Sequence, residues 1–550
     1  MDVDNASQYR PYIAVILIMC RLASSTYFMS PVFMLFTPDH WCKPVTNFTL
    51  QGAQSSNHFI ATGKYHSDDN MKCHEWKNST AYNSTLESCT DGWVYNLHLG
   101  ATTAVTEFSM VCDKAWIKPV LTSLMMAGFM IGGLLSGTVS DGFGRKRSLL
   151  VAMVGELGCV LAVALSPSVP LLGTALFASG LFFATLTMTS PVLLMELSPE
   201  SVRSTLVLIQ VAAFSIGYAV LCPIAYLLPN WRHMMFGIAG FLFCCYVPVI
   251  IIPESNMWRR RNDTKRPEER KSKADENSRE DEDQTLDSEL SASNNNINNN
   301  PHKVIFAKTN TYLDFLTVKF LFRRASILIL AWTSCSFSLF GFNFNTGQME
   351  GNRYLNSFLS TLVDLPGIFM LHLLARKVGY IRGFAIQSAL GGLILLIMPF
   401  LIDHPAWTST LCALLGKSQL GAGFAALYAY TGTIFPTALR NQAYGICSSV
   451  SRISVVLMPF VLYAGEIVHE SLPYLIMSML MLTSSFAVLF LPITKDQPLP
   501  HTLSDAKYQH RLQWNIRCAP KHKSKKEKNQ GYELKPNSLL IVNNERSSLS

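Results

Sequence analysis

Charge is what this 550-residue chain has least of: Asp, Glu, Lys and Arg make up 15% of it against 49% apolar residues, so several soluble domains are a poor fit to its length. The few charges cluster, leaving long charge-poor runs along almost the whole chain. That pattern marks a polytopic membrane protein. Catalytic signatures are missing as well. There is no HExxH, no Walker loop, no GxSxG and no spaced Cys/His metal set. The chain is therefore not expected to be an enzyme, to hold a metal or cofactor, or to drive transport by hydrolysing ATP itself. A cleavable signal peptide is also not expected: the first apolar run, Pro11 to Phe36, is too long and lacks a clear cleavage site. The net charge of +8 does not point to nucleic acid, because the cations sit at span ends and in the tail, where they set orientation in a bilayer.

What is present divides into about twelve spans in two halves. Residues 1–10 form an N-terminus, 11–36 the first span, and 37–116 a long polar loop. Spans two to six occupy 117–253. Residues 254–324 are charged, Asn-rich and unable to bury a core, and read as a largely disordered linker. Spans seven to twelve occupy 325–492, and 493–550 form a tail. The loop holds three sequons, at Asn47, Asn78 and Asn83, and four cysteines, Cys42, Cys73, Cys89 and Cys112. Together they predict a glycosylated extracellular segment with two disulfides, for which three pairings are open. With an even span count both termini share one side. Arg145, Lys146, Arg147, Arg203, Arg376, Lys377, Arg382 and Arg440 fall there too, which makes it the cytoplasmic side. A plasma-membrane location follows from the expected glycosylation.

Between the second and third spans lies Gly137-Thr138-Val139-Ser140-Asp141-Gly142-Phe143-Gly144-Arg145-Lys146-Arg147. Gly137 and Gly144 permit a sharp turn between closely approaching helix ends, and Asp141 can pair with a cation. Ala375 to Arg382 sits at the corresponding place in the second half, which suggests an internal repeat.

Ionisable groups inside spans are costly unless they meet water or a partner, so they are the informative ones. They are Arg21, Glu156, Asp364, Lys417 and Arg452. Lys417 shares a helical face with Gly421, Phe424 and Tyr428, which follow at i+4, i+7 and i+11. Lys417 and Arg452, on adjacent spans, are expected to border a wet cavity that admits an anion; the alternative pairs them permanently with Asp364 or another acid. For Arg21 and Glu156 the expectation is a local or mutual ion pair. Trp332 is a candidate ring for stacking or cation–π contact.

Several stretches taken jointly resemble the organic cation, organic anion and carnitine transporters of the major facilitator superfamily. They include Pro38-Asp-His-Trp-Cys42, Glu107-Phe-Ser-Met-Val-Cys-Asp-Lys-Ala-Trp116, the Gly137–Arg147 stretch, Asn230-Trp-Arg232, Pro253-Glu-Ser255 and Phe435-Pro-Thr-Ala-Leu-Arg-Asn441. The resemblance runs from Pro38 to about Asp505 and implies an all-α membrane fold of twelve transmembrane helices in two six-helix halves, with a large extracellular loop after the first. It implies a cytoplasmic latch built from Gly137, Asp141, Gly144, Arg145, Lys146, Glu196, Arg203, Glu254 and Arg440, with Gly142 where the family usually has Arg. At the positions of Arg452 and Lys417 the anion and carnitine carriers have Arg and Lys, and cation carriers commonly have Asp at the former. The carnitine-type branch is the nearest likeness.

The chain is thus expected to carry a small organic ion by alternating access, either a carnitine-like zwitterion or an organic anion. Arg452, Lys417, Tyr428, Phe424, Trp332 and Asp364 are the candidate substrate-binding residues, and sodium or a proton is the candidate coupling ion. An organic cation carrier using Asp364 or Glu156 as counter-ion is the rival within transport. A non-transporting surface receptor or adhesion protein is the rival outside it. Oligomeric state has no signature in the sequence.

Overall fold

The computed structural model describes residues 11–43, 73–77, 85–89, 92–96, 101–255, 258–259, 318–346, 351–401, 406–435 and 437–494. The charge-poor runs are helices, since a backbone in hydrocarbon must satisfy its own hydrogen bonds. In the first half α1 is Pro11–Phe28, α2 Ile117–Phe143, α3 Arg145–Leu165, α4 Val169–Glu196, α5 Glu200–Leu227 and α6 Trp231–Tyr246. In the second, α7 is Lys319–Asn345, and the eighth span is split into α8, Arg353–Leu362, and α9, Asp364–Val378. Then come α10, Tyr380–Ile397, α11, Ala406–Ile434, α12, Thr437–Ile467, and α13, Leu472–Val488. Among the described residues, ten helical stretches are long and apolar enough to cross a membrane. The helix α7 begins at Lys319, inside the segment read from composition as linker. Arg324 is the reason: its guanidinium is buried against the carbonyl of Ile434, so a charged residue belongs to the packed helix.

The two halves repeat each other in packing. In the first, α2 and α3 lie on α4, α1 on α5, and α3 on α6. In the second, α9 and α10 lie on α11, α7 on α12, and α10 on α13. Even the turns match. Gly144 joins α2 to α3 at φ 106°, and Gly379 joins α9 to α10 at φ 89°, a left-handed region that side chains avoid. Between the halves, α2 packs on α12 and α5 on α8, again equivalent pairs.

Glycine sets how closely these helices approach. A Cβ on Gly180 of α4 would come 2.2 Å from the carbonyl oxygen of Met125 on α2. One on Gly217 of α5 would come 1.9 Å from Ser25 Oγ and 2.2 Å from the Leu22 carbonyl oxygen on α1. These are close approaches to the neighbouring helix, largely to its backbone, that only a missing side chain allows.

The fold is all-helical within the spans, but the long loop contributes two antiparallel ribbons. β1 (His40–Cys42) pairs with β4 (Trp93–Tyr95), and β2 (His74–Lys77) with β3 (Thr85–Ser88). Of the three open pairings, the structure has Cys42–Cys89 and Cys73–Cys112, with Cα separations of 5.3 and 5.5 Å. The loop is also docked on its own half. Arg232 Nη2 donates to Glu107 Oε1 at 2.6 Å, and Trp231 Nε1 donates to Glu107 Oε2 at 2.8 Å. Arg232, an exception to the cationic side of the chain, is thereby neutralised in place. The sequons Asn47, Asn78 and Asn83 lie outside the described residues.

Two expectations follow. Gly217→Val should lower thermal stability by about 1–3 kcal/mol, the usual cost of overpacking, whereas Gly240→Val, with open space at its Cβ, should leave it unchanged in detergent-based unfolding. The Arg232 hydrogen bonds hold the Glu107 carboxyl below its ordinary value of 4.5. A carboxylate more acidic in the folded state stabilises docking above the unfolded value and loses that contribution as pH falls through the folded one. Hydrogen-exchange protection over residues 103–111, taken relative to the intrinsic rate at each pH, should therefore fall on acidification below pH 4.5, and should not do so in Glu107→Gln.

Candidate functional site

The five ionisable residues of the spans lie in very different surroundings. Lys417, on α11, is completely buried. Its Nζ donates to the carbonyl and the hydroxyl of Ser360 on α8, each at 2.6 Å, and lies 3.7 Å from Asp364 Oδ2 at the start of α9. Asp364 also accepts from Ser215 on α5 at 3.0 Å. Gly421 makes this possible, for a Cβ there would sit 3.0 Å from the Asp364 carboxyl. The alternative weighed for Lys417 is the one the structure takes: it is locked to a protein acid and faces no open space. Asp364, offered as a substrate residue, is spent in the same pair. The ring of Tyr218 on α5 closes the network from the other half, 5.9 Å from Lys417 Nζ, with its hydroxyl on Thr346 at 2.7 Å.

Glu156 on α3 is equally buried. It accepts from Ser24 on α1 at 2.8 and 3.0 Å and from Tyr246 on α6 at 2.5 Å. The mutual pair expected between Arg21 and Glu156 is not formed. Hydroxyl donors satisfy the acid, and the Arg21 guanidinium turns instead to Thr187 on α4 and to the rings of Phe183 and Phe214, 5.6 and 5.3 Å from its Cζ.

Arg452, on α12, is the expected cation that stays unpaired. Its Cζ lies 3.7 Å from the centroid of Phe129 on α2, in the opposite half. Gly133 clears the way, since a Cβ there would stand 3.4 Å from Arg452 Nε. The guanidinium makes one hydrogen bond, to Ser448 Oγ one turn back on its own helix at 3.3 Å. Among the described residues no carboxylate lies within ion-pairing distance of it. An arginine 8% exposed with its charge unmatched is expensive unless an anion or water answers it.

The aromatic candidates gather around this point in two layers. Tyr428 and Phe424 are partly exposed on α11. Trp332 is buried behind them, edge-on at 4.6 Å to Tyr428 and 5.9 Å to Phe424, and donates to Thr431. It supports the wall rather than forming its face. Phe28, Phe129, Phe183 and Phe340 make a second cluster where the halves meet, with Phe28 stacked on Phe183 at 3.8 Å. Sequence periodicity placed Phe424 and Tyr428 with Lys417. Nothing in it signalled Phe129, which approaches Arg452 from far along the chain.

The latch residues assemble at the other end of the first half. Arg145 pairs with Asp141 at 2.5 Å and Glu196 at 3.5 Å, and donates to Ser140. Glu254 is buried and accepts from the Lys146 backbone N–H at 2.8 Å, while Lys146 Nζ reaches the Ile250 carbonyl. Trp258, not foreseen, donates to the Asp141 carbonyl. Gly137 and Gly142 have open space at their Cβ positions. The side chains of Arg203 and Arg440 lie outside the described residues.

Cross-half contacts among the described residues are lopsided. Lys118–Glu466 at 2.9 Å, Ser123 to the Val456 carbonyl at 2.8 Å, and Arg353 over Phe36 at 3.6 Å all lie toward the disulfide-loop end. Ser215–Asp364 and Tyr218–Thr346 lie deeper. Among the described residues the halves are thus joined by side-chain contacts at the loop end and at mid-depth.

The profile described as Major Facilitator Superfamily matches residues 96–459. The chain is 26% identical over 504 residues to organic cation/carnitine transporter 2 of Homo sapiens, covering 86% of this chain and 87% of that protein. It is 29% identical over 501 residues to solute carrier family 22 member 4 of Mus musculus, covering 86% and 88%. In structure it is similar to the inward open conformation of the xylose transporter XylE from E. coli, with a TM-score of 0.57 at 14% identity over 92% of this chain and all of that one.

The buried pair yields a test. Lys417→Met strands the Asp364 charge and should cost about 3–5 kcal/mol of stability. Lys417→Met combined with Asp364→Leu should recover most of that loss, read as thermal unfolding of the purified protein.

Proposed function

The chain belongs to the major facilitator superfamily, and from that premise we propose that it carries a small organic ion bearing a carboxylate, either a zwitterion of the carnitine kind or an organic anion. It is a multi-pass membrane transporter, not an enzyme and not a receptor. The single observation behind the substrate is Arg452, a near-buried guanidinium with no acid beside it among the described residues. An arriving carboxylate would take charge-assisted hydrogen bonds from it. Phe424 and Tyr428 would offer ring faces to the apolar or quaternary-ammonium part. The curated relative named for organic cations and carnitine is compatible with such a zwitterion.

The rival, a simple organic cation held by a buried acid, is less well served. Asp364 is occupied by Lys417 and Ser215, and Glu156 is enclosed by Ser24 and Tyr246. Transport would proceed by the two halves rocking about the central site. Sodium or a proton gradient would drive it, from a plasma membrane with both termini in the cytoplasm.

Arg452→Asp should reduce carboxylate-substrate uptake by about 10- to 100-fold, the equivalent of one charge-assisted hydrogen bond, while surface expression stays intact. Uptake of labelled carnitine, an organic anion and a quaternary amine lacking a carboxylate, with and without sodium and a proton gradient, is the measurement. Unchanged carboxylate uptake in the variant would reject the assignment.

A further inference from the structure

The long loop holds a group of side chains that the transport reading leaves unused. Among the described residues, the side-chain donor atoms of His40, Cys73 and Cys112 all lie within 4.8 Å of one another, and each residue is half-buried. Cys73 and Cys112 form one disulfide. The imidazole therefore stands beside a sulfur–sulfur bond rather than beside two metal-ligating thiolates.

His40 is fixed there from two sides. It opens β1 opposite Tyr95 in the register of β4, with the two rings 6.2 Å apart. Its Nδ1 lies 3.1 Å from the Pro38 carbonyl oxygen. A carbonyl only accepts, so Nδ1 carries the hydrogen and donates it, and Nε2 is left to face Cys112 Sγ at 3.8 Å. Once protonated, the ring presents Nε2–H to that sulfur, and a cationic imidazole favours a thiolate beside it. Cys112 also has φ 53°, in the left-handed region that a Cβ disfavours. The cross-link to Cys73 ties it on one side, and the 3-10 turn Cys112–Lys114, which leads into α2, ties it on the other. Opening the bond removes one of these ties. The other bridge, Cys42–Cys89, meets no imidazole hydrogen bond among the described residues.

We propose that Cys73–Cys112 is a thiol-exchange site: a low-molecular-weight thiolate from solution opens it at Cys73, with Cys112 as the leaving group and His40 as its proton donor. The incoming sulfur attacks Cys73 Sγ and forms a new sulfur–sulfur bond there. The Cys73–Cys112 bond breaks, and its electron pair goes to Cys112 Sγ, which takes the proton from His40 Nε2. A thiolate, a disulfide and an imidazolium become a mixed disulfide, a thiol and a neutral imidazole. The incoming sulfur is oxidised and Cys112 is reduced. The ring sets the direction, because the better-stabilised thiolate leaves faster. The product carries an adduct on Cys73 and a free thiol on Cys112, at the entry to α2.

The test exposes the purified full-length protein to reduced glutathione, quenches with an alkylating agent at timed intervals, and locates adducts and alkylated cysteines by peptide mass spectrometry. In the wild type, glutathione should appear on Cys73 and the alkyl group on Cys112, before Cys42–Cys89 opens. His40→Asn keeps an amide that can donate to Pro38 but has no proton to give Cys112. It should slow opening of Cys73–Cys112 by about tenfold or more, the low end of what a lost proton donor or an unstabilised leaving thiolate costs. Opening of Cys42–Cys89 should keep its wild-type rate and so report that the loop is folded. Should His40→Asn not be recovered as a folded protein, the position of the adduct and the order of opening in the wild type decide the matter. Glutathione on Cys112 instead of Cys73, no exchange at this bridge, the two bridges opening at equal rates, or a His40→Asn rate equal to wild type each overturn the proposal. Equal slowing of both bridges in His40→Asn does so too, since it marks a structural role for the ring.

Discussion

An ionised side chain at mid-bilayer depth has to be answered by something, and how each one is answered organises this molecule. Lys417 is answered by Asp364 and Ser360, and Glu156 by two hydroxyls. Both arrangements are sealed and belong to the architecture. Among the described residues, Arg21 and Arg452 each donate to a single neutral hydroxyl and lie over rings, with no carboxylate at ion-pairing distance. A cation–π contact contributes about 0.5–2 kcal/mol, well short of the several kcal/mol that desolvating a guanidinium costs. The difference is what a bound anion would supply. On the proposed reading, binding energy in this site would come from charges the protein leaves unmatched, not from groups it positions against each other.

The second constraint is symmetry. The same helix pairs recur in both halves, and both short turns rest on a glycine at positive φ. Such a repeat gives the protein two equivalent rigid bodies. Close glycine contacts bring helix backbones together within the first body, as at Gly180 and Gly217, and within the second, as at Gly367. The interface between bodies relies instead on longer side chains and a few hydrogen bonds. The central charges lie at this interface between the halves.

Much of this was legible in the sequence because it is periodic or compositional. Charge-poor runs gave the spans, and the Gly137–Arg147 stretch gave the charged turn at which Arg145 pairs with Asp141 and Glu254 accepts from the Lys146 backbone. Helical spacing put Phe424 and Tyr428 on one face, and both flank Trp332. What stayed hidden is tertiary. No local pattern says that Lys417 will find Asp364 rather than a cavity, or that Arg21 will bypass Glu156 for Thr187. Those choices depend on helix rotation and on residues such as Ser24, Ser215 and Phe129, whose side chains carry no sequence signal of their own. The start of α7 at Lys319 was hidden for the same reason, since a buried arginine looks like linker until its partner is known.

The clasp at the disulfide-loop end bears on how the halves separate there. Lys118 and Glu466 are partly exposed, so their ion pair is worth about 0–1 kcal/mol and yields easily. The stacked contact of Phe33 with Tyr354 and the guanidinium of Arg353 over Phe36 are likewise at the rim. Deeper down, Ser215–Asp364 is the contact that matters, because it joins α5 of one half to the buried ion pair of the other. Parting the halves removes a hydroxyl donor from Asp364 but leaves Lys417 with it. With Lys417 beside it, the Asp364 charge would keep a partner if that hydroxyl were withdrawn.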